Sequence, residues 1–168
     1  MKDYRTVVVG TDGSPLAEPT VARAAWTAAR DEADLVIVCV WSELSRRDDA
    51  KNVATVGGDA RIGEVLGRQS ASQAVAEAVA VAQAGGATIA AALLAQGEPA
   101  QALVQIATER RADLLVVGAI QDTSIAGRLL GTVAGDVVRD APCDVLIVRP
   151  EELAALTGAI ELPVPEDA

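Results

Sequence analysis

Short apolar runs alternate along this chain with longer stretches whose apolar residues recur at helical spacing. The runs are residues 5–10, 35–41, 87–95, 113–118 and 145–148. They are apolar nearly throughout, so each reads as a strand buried on both faces. The run at 87–95 is the weakest, because it is rich in alanine. Between the runs, residues 16–30, 62–84, 99–111 and 132–140 read as helices. The second of these is alanine-rich and stops at Gly85-Gly86, and the third opens on Glu98-Pro99, with proline at its tolerated first-turn position. Residues 42–60 carry charges, Asn52 and Gly57-Gly58, and read as a loop.

Strands that alternate with helices predict an α/β fold, a parallel sheet covered by helices on both faces. Right-handed crossovers leave few strand orders, and a flavodoxin-like order 3-2-1-4-5 suits five strands. Ligands of such sheets bind outside the carboxyl ends of the strands, where the order reverses. That point falls between the first and fourth strands. Two glycine-bearing loops meet there, Gly10-Thr11-Asp12-Gly13-Ser14 and the stretch from Gly118 to Gly135. Residues 1–150 are expected to form one domain. Residues 151–168 form an acidic tail in which Pro163 and Pro165 favour an extended or frayed end.

The net charge of −10 argues against a nucleic-acid partner, because such affinity comes largely from Lys and Arg. No apolar run approaches the roughly 20 residues that span a bilayer, and the start lacks the pattern of a signal peptide. A cytoplasmic location is the expectation. The chain has no histidine, which excludes Ser-His-Asp and Cys-His catalysis and any His-ligated metal. Cys39 and Cys143 lie in strand-like runs with no CxxC or zinc spacing, and read as buried structural thiols.

Gly118 lets the chain turn sharply after the fourth strand. Gly131-Thr132 precedes the last helix, with Thr132 a candidate N-cap and the following amides candidate donors to an anion. A plain turn and cap is the alternative. Asp12 is a candidate to hold a ribose hydroxyl, or a metal through water beside phosphates; an Asx-turn is the other reading. Val40 and Trp41 are placed to flank a purine, Trp41 equally to sit at the surface. Arg128 is a candidate phosphate partner or a solvated cation. There is no GxxxxGK[ST] and no GxGxxG after a strand. A phosphatase of the haloacid-dehalogenase type needs an aspartate nucleophile where Gly10 stands. A receiver domain needs a phospho-accepting aspartate at the end of the third strand, where Ala91 to Ala95 offers none. No residue stands out as a general base, so no catalytic residue is assigned and the metal question stays open.

The chain resembles the universal stress protein family over residues 4–150. The resemblance rests on VVVGTDGS at the first strand, RADLLVVG at the fourth, and LLGTVAGDVVRDAPCDVLIVR at the end. The family's ATP-binding signature is Gly-x2-Gly-x9-Gly-Ser/Thr. Here Gly118 is followed at the same spacing by Gln121 in place of the second glycine, and then by Gly131-Thr132. The run SIAGRLLGT at 124–132 resembles actinobacterial members, some of which bind cyclic AMP in preference to ATP.

The resemblance implies a flavodoxin-like fold of the adenine nucleotide alpha hydrolase type and a homodimer joined through the last strand, Val145 to Val148. It places Gly10, Thr11, Asp12 and Val40 around adenine and ribose. Gly118, Ile120 and Gln121 would line the ribose and phosphate side, and Gly131, Thr132, Val133 and Ala134 would meet phosphate. The implied ligand is an adenine nucleotide, ATP or cyclic AMP, with Mg²⁺ as a candidate companion. The implied function is a stress-response sensor or reservoir with at most slow ATP hydrolysis. The alternative is a stress protein that binds no nucleotide and works through its dimer and protein contacts. Gln121 bears on that choice. Its side chain restricts the space a glycine would leave, and its amide both donates and accepts hydrogen bonds.

Overall fold

The computed structural model describes residues 3–43, 65–119 and 131–149. The elements run β1 (Thr6–Thr11), α1 (Ala17–Asp31), β2 (Asp34–Ser42), β3 (Val65–Leu66), α2 (Arg68–Ala84), β4 (Thr88–Gln96), α3 (Pro99–Glu109), β5 (Leu114–Gly118), α4 (Thr132–Asp140) and β6 (Asp144–Val148). The five long strands lie as β4-β2-β1-β5-β6, all parallel. Counted along the chain, these are strands 3-2-1-4-5, the order expected.

Two aliphatic cores explain why these runs had to be strands. In β1, Val7 and Val9 pack on one face of the sheet and Val8 on the other. Leu35 and Ile37 of β2 oppose Val36, Val38 and Val40 in the same way, as do Leu114 and Val116 against Leu115 and Val117 of β5. Adjacent residues face opposite ways along a strand, so only an apolar run suits a sheet covered on both sides. α1 and α2 cover the first face, through Val21, Ala24, Ala25 and Ala28 of α1 and Ala78 and Ala82 of α2. α3 and α4 cover the second, through Ala100, Leu103 and Ala107 and through Ala134 and Val137. The edge strand β4 carries a bulge between the Leu35–Ile89 and Val36–Ala91 pairs. The bulge lets Ile89 pack on the α1–α2 face while Ala91 and Leu93 pack on the other.

Two sequence expectations need correction here. The alanine-rich helix starts at Arg68, not at residue 62, because Val65 and Leu66 pair with Trp41 and Ser42 as the short strand β3. Gly67, at φ +85°, makes the turn between that strand and the helix. The third helix ends at Glu109, with Arg111 in the left-handed region beyond it (φ 51°). Most of the loop expected at 42–60 lies outside the described residues, as does the tail at 151–168. Among the described residues no helix is long and apolar enough to cross a membrane.

Candidate functional site

A cavity of about 240 Å³ opens at the carboxyl ends of β1 and β5. These strands are neighbours in the sheet although α1, β2, β3, α2, β4 and α3 separate them in sequence, so this is where the strand order reverses. Gly10, Thr11, Asp12, Val40, Gly118 and Val133 all line the cavity. Ala134 lies beneath it, buried in the α3–α4 core, and Gly131 and Thr132 adjoin Val133 at the start of α4. Ile120, Gln121 and Arg128 fall outside the described residues.

Glycine at two lining positions answers to packing. A Cβ on Gly118 would sit 3.0 Å from Thr20 Oγ1 and 3.1 Å from Leu16 Cδ2. α1 therefore presses on the end of β5, and no larger residue fits without a shift. A Cβ on Gly10 would meet Leu103 Cδ1 at 3.1 Å, from the opposite face of the sheet. Asp12 makes the Asx-turn: its Oδ1 accepts the Ser14 N–H at 2.9 Å, across Gly13 at φ +71°. Its other carboxylate oxygen has no hydrogen-bond partner among the described residues, so the turn orients the group without consuming it.

Three helices begin beside the cavity, and they differ as anion hosts. α1 starts at Ala17, whose N–H bonds Ser14 O; its first turn holds Glu18 and Pro19, which has no N–H. α3 starts on Pro99 after Glu98, so it too lacks a donor and carries a carboxylate at its cap. α4 has neither proline nor acid in its first turn. Its N-cap is Gly131, not the Thr132 expected from the sequence, and no side chain caps it. The first intrahelical bond runs from Gly135 N to Gly131 O, and among the described residues the amides of Thr132, Val133 and Ala134 have no acceptor. The positive end of the helix dipole adds to them.

Asp12 is the one charged side chain among the described lining residues. Among the described residues no three His, Cys, Asp or Glu side chains gather where they could hold a metal. Trp41 stands apart from the cavity, packed with Cys39, Val65, Ala71 and Ala74. Cys39 is fully buried. Burial, and then the Asp12 carboxylate, push its thiol up to about 11. Cys143 is only partly buried and lies just before β6, not within it. Sequence reasoning missed Leu103 and Pro99, which line the cavity from α3. Their helix was legible, but its place over Gly10 depends on the crossover.

The sequence profile described as "Universal stress protein family" matches residues 3–149. The chain belongs to the universal stress protein family. A universal stress protein of Mycobacterium tuberculosis is 40% identical over 149 residues, 89% of this chain and 99% of its own. One from Thermus aquaticus is 32% identical, over 87% of this chain and 99% of its own. The crystal structure of a universal stress protein in complex with cAMP superposes with a TM-score of 0.62 at 38% identity, covering 88% of this chain and 98% of that one.

Proposed function

We propose that this universal stress protein binds an adenine nucleotide in the cavity between β1 and β5, as a sensor or reservoir, and that it favours cyclic AMP or AMP over ATP. The observation that carries this reading is the contrast among the three helix starts. Of the three, α4 alone presents three amides without an acceptor among the described residues and a first turn free of proline and acid, which favours a phosphate there. Asp12 is held by its Asx-turn, and its other oxygen, without a hydrogen-bond partner among the described residues, is placed to accept a ribose hydroxyl. The described lining supplies no cation to set against the roughly four negative charges of ATP, whereas a cyclic monophosphate brings one. The relative that is 38% identical forms a complex with cAMP, which favours the same ligand class here. Mg²⁺, where it takes part, would reach the site with the phosphates of ATP.

Calorimetric titration tests the reading, with cyclic AMP, AMP and ATP, each with and without Mg²⁺, on the parent and on Gln121→Gly. The expected result is binding of cyclic AMP to the parent, with ATP gaining affinity in Gln121→Gly. Absence of binding by all three nucleotides at millimolar concentration in both proteins sinks it. Function would then rest on protein contacts alone.

The free edge of β6 favours a second, compatible reading, a homodimer paired through that strand. Among the described residues β6 has a neighbour on one side only. An open edge of this kind invites a second chain.

A further inference from the structure

The outer face of α1 is without cover among the described residues. Pro19, Ala22, Arg23, Trp26, Ala29 and Arg30 recur there at helical spacing, all exposed, opposite the buried Val21, Ala24, Ala25 and Ala28. Trp26 stands 54% exposed within that stripe. The guanidinium groups of Arg30 and Arg23 lie over its ring, 5.2 and 5.7 Å from the ring centre. A guanidinium placed over an aromatic ring keeps its N–H groups for a carboxylate. Arg30 already uses Nε and Nη2 on Asp31, whereas Arg23 has no carboxylate partner among the described residues. The other exposed large apolar side chain among the described residues, Val138, offers no such combination, because its neighbour Arg139 is held by Asp136 and Asp140.

We propose that Trp26 and its two arginines form a docking site for the chain's own acidic tail, with residues 161–167 as the docked segment. The inference is independent of nucleotide binding. The tail carries Glu151, Glu152, Glu161, Glu166 and Asp167 and no base after Arg149, so it holds no cation of its own to pair with them. Within the segment, Glu161, Glu166 and Asp167 flank Pro163 and Pro165. Proline rings pack on exposed aromatic side chains, and carboxylates pair with guanidinium N–H groups, so the segment matches the stripe in both chemistries. Its reach suffices. Val148 pairs with Gly118, and a Cβ on Gly118 would touch Thr20 of α1. Trp26 lies about 9 Å further along the helix axis, on the far side of a helix about 10 Å across. The thirteen residues from Val148 to Glu161 span about 40 Å when extended, which exceeds that path. The family profile ends at residue 149, so the tail lies beyond the part of the chain that the family shares. Exposed ion pairs are weak singly, but tethering the segment to its site raises its effective concentration.

The test is acrylamide quenching of Trp26 fluorescence in the full chain, with Trp41→Phe leaving Trp26 as the one emitter. Circular dichroism checks that each protein is folded. Neutralising the segment with Glu161→Gln, Glu166→Gln and Asp167→Asn together should raise the quenching constant about twofold or more, as should about 500 mM salt on the unneutralised chain. Arg23→Glu should have the same effect, and adding Glu166→Lys and Asp167→Lys to it should restore the protection. Fluorine NMR of the chain labelled with 5-fluorotryptophan reads the same docking with Trp41 in place, the Trp26 resonance being assigned by its loss in Trp26→Phe. That resonance should move when the segment is neutralised. Quenching and resonance that do not change in the neutralised chain overturn the proposal, as does a charge swap that restores nothing. Protection that disappears on dilution would put the tail of a second copy on α1 and overturn docking within one chain.

Discussion

Gly118 and Gly135 both lie near the cavity, yet only one of them has no room to grow. A Cβ on Gly118 would press within 3.0 Å of Thr20 and 3.1 Å of Leu16, whereas one on Gly135 meets nothing within 4 Å. Gly118→Ala should therefore destabilise the protein by about 1–3 kcal/mol through overpacking. Gly135→Ala, inside α4, should stabilise it by about 0.5–1 kcal/mol by removing a flexible residue from a helix. Urea unfolding of the two variants reads both, and equal effects would contradict the packing account. Cys39 gives a second residue-scale expectation. Its thiol is raised from 9.0 to about 11 in the folded protein, chiefly by burial. The folded state holds the proton more tightly, so this stabilisation is complete below about pH 9. It is lost as the pH rises towards 11, to a total on the order of 2 kcal/mol. Denaturation of the parent across that range should show a steeper fall than Cys39→Ala, and parallel profiles would refute it. Cys39 was legible as a buried thiol from its apolar neighbours. That Cys143 is partly exposed was not, because its burial depends on where the edge of the sheet falls.

At the level of elements, the strands were readable and the ends of the helices were not. Val7, Val8 and Val9 can all be buried only in a strand with both faces covered, so β1 follows from its composition. Residues 62–66 continue the apolar pattern of α2, and no local signal separates Val65 and Leu66 from the helix. They form β3 because Trp41 and Ser42 offer a free edge at that point. The cap of α4 likewise passed from Thr132 to Gly131, which takes the extended backbone (φ −58°, ψ 160°) that a cap needs. The edge strand β6 supplies a sharper prediction. Asp144 N bonds Asp113 O, and Ala119 N bonds Val148 O. In a parallel ladder this turns the backbone of Asp144, Leu146 and Val148 towards β5, and that of Val145 and Ile147 towards the open edge. Ile147→Pro should thus preserve the β5 ladder while removing an outward N–H. Light scattering after size-exclusion chromatography should show a folded monomer in place of a dimer. A dimer that persists would place the interface elsewhere.

For the whole molecule, charge sets the terms on which a nucleotide arrives. The chain carries −10, and a field of that sign repels ATP more than cyclic AMP. Raising the salt from about 20 to about 500 mM screens that repulsion. The preference for cyclic AMP over ATP, measured without Mg²⁺, should therefore shrink with salt. A preference that grows instead would mean that unscreened cations near the phosphate dominate. The sequence by itself determined the parallel sheet, its strand order and the place where that order reverses, because hydrophobic burial on both faces and right-handed crossovers admit few alternatives. It also marked Gly10, Asp12, Gly118 and Val133 as neighbours of one site, through the two loops that must meet there. Only the tertiary structure decided what those loops face. The crossover of α3 lays Leu103 over Gly10, the approach of α1 closes on Gly118, and α4 brings a first turn without proline or acid to the cavity. These are contacts between residues distant along the chain, and they depend on how closely each helix packs on the sheet, which no local pattern of residues encodes.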